Sequence, residues 1–255
     1  MFHTADEKEL EKINGYLLDS LETVFGDEIL CALIHGSAVK GGMIRGFSDL
    51  DVQVFLKESS FDEFGLRLEK SLAIQKLIGE LDVTTIGASY LQMYFHDPLQ
   101  MPEWYTPPVK GSYQILFGEL PKELDYNIEN FKERMKTKLE NLNETIAHSV
   151  RGFTDSSNKT LPRRVRYVAT MVFPTMYSFL SFDADDPTVI WVKPKNIIYN
   201  QFLIDYKDKP LSRYLIDFFA LIVKISSDKE NYSKLQKTYE TGINVLKEFY
   251  KLYNK

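Results

Sequence analysis

Asp49 and Asp51 stand two residues apart in the alternating stretch Asp49-Leu50-Asp51-Val52-Gln53-Val54-Phe55-Leu56. Period-two alternation puts both carboxylates on one face of a strand. Two like charges side by side repel, and they are stable where a cation neutralises them. Oxygen-only ligands on a rigid strand suit Mg²⁺, which takes one or two carboxylates together with phosphate oxygens and water. Upstream, the apolar run Glu28 to Ile34 leads into His35-Gly36-Ser37. Backbone amides at such a turn, with the Ser37 hydroxyl, can hold a phosphate oxygen, and the bare Cα of Gly36 lets it approach. A third carboxylate, Asp82, opens Leu81-Asp82-Val83-Thr84. If that segment is a strand beside the first pair, Asp49, Asp51 and Asp82 converge as metal ligands. That is a two-metal or metal-plus-base arrangement for attack on phosphorus, with Asp82 as the base. Glu80 lies on the same face by alternation and competes for the third place.

The elements that must position these groups are legible as patterns. Leu10, Ile13, Leu17, Leu21 and Val24 recur at helical spacing over residues 6–25. Strands are expected over 28–34, 49–56, 81–86 and 113–117, with a glycine-rich loop over 40–47 and a helix over 61–79. Residues 89–110 combine aromatic side chains with Pro98, Pro102, Pro107 and Pro108 and read as irregular, with at most a short helix at the start. Beyond them, helical spacing runs over 128–150, 163–182, 194–206, 211–226 and 231–253, and Asn127 is placed to cap the first of these. Strands first and helices afterwards give an α+β chain: a mixed β-sheet with flanking helices over 1–124, then an all-α helical bundle over 125–255.

Composition narrows the function. Lys+Arg 31 against Asp+Glu 36 leaves a formal charge of −5, which disfavours general nucleic-acid binding, because phosphate neutralisation needs surplus cations. The single cysteine, Cys31, excludes an internal disulfide and a cysteine-based zinc site. No window reaches the ~20 apolar residues of a membrane span, so no membrane partner is expected. The first residues lack the basic region and apolar run of a secretory signal, and the expected compartment is the cytoplasm.

The run Gly36-Ser37-Ala38-Val39-Lys40-Gly41-Gly42, followed by Ser48-Asp49-Leu50-Asp51, resembles the nucleotidyltransferase superfamily that includes DNA polymerase beta. It is most similar to the aminoglycoside (streptomycin/spectinomycin) adenylyltransferases. The resemblance implies a transferase, possessed of a nucleotidyltransferase sheet domain and a helical bundle that completes the nucleotide and substrate cleft. It implies that Asp49 and Asp51 hold Mg²⁺ on the phosphates of ATP or another nucleoside triphosphate, with Ser37 on the β- or γ-phosphate. Asp82 stands where the family has Glu, as base or second-metal ligand. Lys195, in Val192-Lys193-Pro194-Lys195-Asn196, resembles a lysine that reaches the triphosphate, and Trp104 an aromatic residue lining the acceptor site. The implied reaction moves a nucleoside monophosphate, AMP by family default, to a hydroxyl of an aminoglycoside-like small molecule and releases pyrophosphate. An arginine of the family has no equivalent in the helix containing Tyr177, where Pro174 or Thr175 falls, and Arg163, Arg164 and Arg166 are the candidates to compensate.

Other readings compete. An Asp-x-Asp pair alone is common on solvated strand faces, and Gly-Ser after a strand is usually a plain turn. The conjunction of the two with the glycine-rich loop favours the nucleotidyltransferase reading. His35 reads as a structural histidine, and His3, His96 and His148 lack metal-ligand spacing. A nucleotide-binding regulatory or antitoxin-like module, or an enzyme that nucleotidylates a protein, is the alternative to small-molecule transfer. The sequence leaves the oligomeric state open.

Overall fold

The computed structural model of the chain describes residues 2–102, 105–124, 127–226 and 231–255. Two compact units divide the chain, Phe2–Tyr126 and Asn127–Lys255.

The first unit runs β1 (Phe2–His3), α1 (Glu7–Phe25), β2 (Ile29–His35), α2 (Ser37–Lys40), β3 (Met43–Ile44), β4 (Leu50–Leu56), β5 (Phe61–Asp62), β6 (Gly65–Leu66), α3 (Leu68–Ile78), β7 (Leu91–His96) and β8 (Tyr113–Gly118). The Asp6 carboxylate accepts from the Glu9 amide at 3.0 Å and starts α1, and Glu7 and Glu9 suit the positive end of the helix dipole. Leu10, Ile13, Leu17, Leu21 and Phe25 form its buried stripe. A four-stranded sheet of order β7-β4-β2-β8 is the centre of the unit. β2 pairs antiparallel with β4 and with β8, whereas β7 runs parallel to β4.

The sheet sorts its side chains by parity. Ala32, Ile34, Val52, Val54 and Leu56 join the stripe of α1 in the main core. Leu33 and Phe55 point the other way and pack with Cys31, Tyr105 and Leu124 in a smaller cluster. Each large side chain removed from water contributes about 1.5–3 kcal/mol. The face that carries Phe55 also carries Asp51 and Gln53, so one strand supplies apolar packing at one end and carboxylate chemistry at the other.

Three expectations are corrected here. Residues 61–79 are not one helix. The Asp62 carboxylate accepts from the Phe64 amide at 2.9 Å, and Gly65 at φ 110° closes a β5–β6 hairpin before α3 begins. Residues 81–86 are not a strand but a 3-10 turn over Val83–Ile86, ended by Gly87 at φ 83°. The strand beside β4 is β7, inside the segment that the prolines made look irregular.

The second unit is all helical: α4 (Ile128–Glu140), α5 (Leu142–Thr154), α6 (Leu161–Ser181), α7 (Thr188–Trp191), α8 (Lys195–Asp205), α9 (Pro210–Ile225) and α10 (Tyr232–Tyr253). Asn127 caps α4 by accepting from the Asn130 amide at 2.7 Å. The helix expected over 128–150 is two, broken at Asn141. Phe173, Tyr177, Phe218 and Phe219 are buried and Phe182 is partly buried, and α6 continues through Pro174. No described helix is long and apolar enough to cross a membrane.

Candidate functional site

A net of backbone and hydroxyl bonds holds the loop before β4. The Ile44 amide donates to Ser48 Oγ at 2.9 Å, the Ser89 amide to the Ser48 carbonyl at 2.7 Å, and the Leu50 amide to the Tyr90 carbonyl at 3.0 Å. Ser89 Oγ lies 3.1 Å from the Phe47 carbonyl and 3.4 Å from Asp49 Oδ1. These bonds fix where Asp49 leaves the loop and where Asp51 enters the strand. Both carboxylates are partly exposed at this end of the sheet.

Gly36 follows β2 at φ 76° and ψ −145°, a conformation natural only to glycine. A Cβ there would stand 2.8 Å from Asp51 Oδ2, so the Asp51 carboxylate occupies the space that Gly36 leaves open. Both features make the position intolerant. Gly36→Ala is expected to cost about 1–3 kcal/mol of stability through backbone strain and to displace the Asp51 carboxylate. Thermal melting paired with a Mn²⁺ titration checks this, and a variant that melts and binds Mn²⁺ like the wild type contradicts it.

Ser37 opens α2 and is only 2% exposed. Its hydroxyl is thus less open than the sequence suggested, although the residue keeps its place beside Gly36.

Asp82 does not join the pair. Its side chain caps the 3-10 turn, accepting from the Thr84 amide at 2.8 Å and the Thr84 hydroxyl at 2.6 Å. The Thr84 hydroxyl, and then the Thr84 amide, hold its carboxyl below the usual carboxylate range. Among the described residues no group of three or more His, Cys, Asp or Glu is placed to hold a metal. The expected cluster of Asp49, Asp51 and Asp82 is therefore corrected to the pair Asp49 and Asp51. Glu80 also lies outside any strand.

Gln92 is the residue that sequence reasoning missed. β7 pairs in register with β4, Asp51 beside Gln92 and Gln53 beside Tyr94. The Tyr90 hydroxyl donates to Gln92 Oε1 at 3.0 Å, and Gln92 Nε2 donates to the Tyr94 hydroxyl. Burial, and then the charges of Asp51 and Asp49, push the Tyr94 phenol up to about 12, which places it electrostatically near both carboxylates. The signal was present in the sequence: Leu91, Met93 and Phe95 alternate with Gln92, Tyr94 and His96.

Deeper on the same face, the Tyr105 hydroxyl donates to Gln53 Oε1 at 2.5 Å, and Gln53 Nε2 lies 3.1 Å from His35 Nε2. The bonded chain of Tyr105, Gln53 and His35 anchors the sheet beneath Asp51. His35 is structural, as expected.

In the helical unit Lys195 is the first residue of α8, with its ammonium 4.6 Å from the centre of the Phe173 ring. Arg164 Nε donates to Ser156 Oγ at 3.0 Å, which gives that arginine a structural tie. Trp104 lies outside the described residues.

Two carboxylates with hard oxygen donors, packed against a glycine, fit Mg²⁺, an ion that fills its remaining positions with phosphate oxygens and water. They do not supply the third protein carboxylate of a fuller site.

No family model matches the chain, and no curated protein sequence does. Among solved structures, spectinomycin adenyltransferase AAD(9) from Enterococcus faecialis, solved with ATP and spectinomycin, is similar over 94% of this chain and 99% of that one. The TM-score is 0.55 and the identity 15%. Gly36, Asp49 and Asp51 thus sit in a chain whose fold is similar to that of a spectinomycin adenyltransferase across nearly its whole length.

Proposed function

We propose that the protein is a Mg²⁺-dependent nucleotidyltransferase that moves a nucleoside monophosphate, AMP from ATP, to a hydroxyl of an aminoglycoside-like small molecule and releases pyrophosphate. The observation that carries this reading is the Asp51 carboxylate packed over Gly36, beside Asp49, at the open end of β4. The neighbour solved with ATP and spectinomycin supports the choice of nucleotide and acceptor class.

In this reading Asp49 and Asp51 hold the cation, which when bound neutralises charge on the nucleotide phosphates. The Gly36-Ser37 turn is the phosphate contact in this reading, and Lys195 is a further nucleotide contact. The acceptor oxygen attacks the α-phosphorus in line, and much of the rate comes from positioning. Trp104 is proposed to line the acceptor site, as the family resemblance implies. A nucleotide-binding module without transfer is the second reading, and Gln92 favours it, because an amide stands in register with Asp51 where a carboxylate base would serve.

Pyrophosphate release separates the two. Purified protein with Mg²⁺ is given each of the four nucleoside triphosphates, with and without a pooled panel of aminoglycosides and aminocyclitols. Release that needs both nucleotide and panel, and disappears in Asp49→Asn, is the expected result. Nucleotide binding without release under any combination supports the second reading, and absence of both overturns the first.

A further inference from the structure

Resting on the proposed transfer reaction, we propose that Gln92 is the third corner of the centre, a neutral residue that positions the acceptor, and that no carboxylate of the sheet takes the acceptor's proton. Three observations place it there. β7 is the strand next to β4, and Gln92 is the residue in register with Asp51. Its amide is held from both sides, accepting from Tyr90 and donating to Tyr94. The Tyr94 phenol in turn feels the charges of both Asp51 and Asp49. The only carboxylate the sequence offered for this role, other than Glu80, is committed to Thr84 at the 3-10 turn.

A glutamine differs from a glutamate here in two ways. It adds no charge, so Asp49 and Asp51 would be the carboxylates that hold a cation. It also accepts no proton at neutral pH, so it orients an incoming oxygen by hydrogen bonding alone. In the transfer step the acceptor oxygen forms a bond to the α-phosphorus. The bond from that phosphorus to the bridging oxygen breaks, and its electron pair leaves on pyrophosphate. The acceptor's proton passes to solvent. A centre of this kind is slow with unactivated hydroxyls, because a positioned base contributes typically 10²–10⁴-fold.

Gln92→Glu tests the assignment as a gain of function, which a merely structural role would not produce. The first readout is Mn²⁺ binding to the intact protein, with no nucleotide, followed by electron paramagnetic resonance. Adding a third carboxylate beside Asp51 is expected to tighten Mn²⁺ by about tenfold or more, since ligand charge sets affinity at such sites. Asp82→Asn, which preserves the capping oxygen, is expected to leave Mn²⁺ binding within twofold of wild type. The second readout is acceptor-independent pyrophosphate release from Mg-ATP, with water as the nucleophile. It is expected to rise about tenfold or more in Gln92→Glu, and the gain is expected to fade as pH drops through the carboxylate range.

Unchanged Mn²⁺ affinity in folded Gln92→Glu overturns the inference, and so does weakened affinity in Asp82→Asn, which would return Asp82 to the site. Loss of Mn²⁺ binding in Asp49→Asn, together with indifference to Gln92→Glu, sinks this inference alone. Wild-type protein that binds neither Mn²⁺ nor any nucleotide sinks the proposed function beneath it.

Discussion

Asp51→Asn is expected to lower Mg-dependent pyrophosphate release by roughly 10³-fold while leaving the protein as stable as the wild type or slightly more so. The two effects have one cause. Asp51 is the second residue of β4 and Asp49 stands just before the strand, and like charges two residues apart repel in the folded chain without a cation. Asparagine keeps the shape and removes the charge, so the repulsion goes and the packing over Gly36 stays. The same change removes a cation ligand, and a bound metal supplies several kcal/mol of charge stabilisation to the transition state. At 1.36 kcal/mol per factor of ten, the loss of about 4 kcal/mol is the 10³-fold expected. Thermal melting, Mn²⁺ binding and pyrophosphate release are measured on the same preparation. A folded variant that keeps a tenth of the rate shows that Asp51 is no ligand. A variant that loses activity and melts well below the wild type shows that its role is structural.

The split between these carboxylates and Asp82 shows what was legible in the sequence and what was not. Strand β2 was readable as an apolar run that ends at Gly36, and β4 as an apolar-polar alternation. Asp51 followed from β4, since period two fixes the face of every residue on a strand, and Asp49 falls one residue before it. Asp82 failed for a local reason. Leu81-Asp82-Val83-Thr84-Thr85-Ile86 has the β-branched content of a strand, but an Asp two residues before a Thr can close a turn on itself. The missed strand β7 is an edge strand, only partly buried, whose outward face carries Gln92, Tyr94 and His96. Its polar content hid it among the prolines that follow. In the helical unit the buried residues Phe131, Met135, Leu139, Leu142 and Ile146 keep helical spacing across the break, so periodicity alone could not find the interruption at Asn141. Fold class and the first two carboxylates are local properties of the chain. The identity of the third corner depends on which strand lies beside β4, a pairing that no local pattern encodes.

That pairing also predicts how the sheet unit responds to acid. Burial, and then the charge of Lys40, lower His35 to about 4, and burial, and then His35, lower His96 to about 4 as well. His35 Nε2 faces the Gln53 amide, and the His96 ring packs among Phe55, Tyr94 and Tyr105. Each imidazole is neutral in the fold and has its ordinary value near 6.5 when unfolded. Above that value neither state binds a proton, and the histidines leave stability independent of pH. Between about 6.5 and 4 the unfolded chain takes up protons that the folded chain refuses, so stability falls as pH falls. The slope approaches about 1.4 kcal/mol per pH unit for each histidine, enough to remove much of the stability of a small domain by pH 4.5. His96→Phe fills the same aromatic cluster without a titrating group and is expected to remove about one histidine's share of that slope. Imidazole proton resonances followed by NMR give the direct reading. Resonances of His35 and His96 that stay unchanged from pH 7 to pH 5 agree with neutral rings packed against Gln53 and the aromatic cluster of Phe55, Tyr94 and Tyr105. Midpoints near 6.5 for both would mean that the face of β4 beneath Asp51 is open to water, and the hydrogen-bonded chain from Tyr105 through Gln53 would lose its role in holding the site.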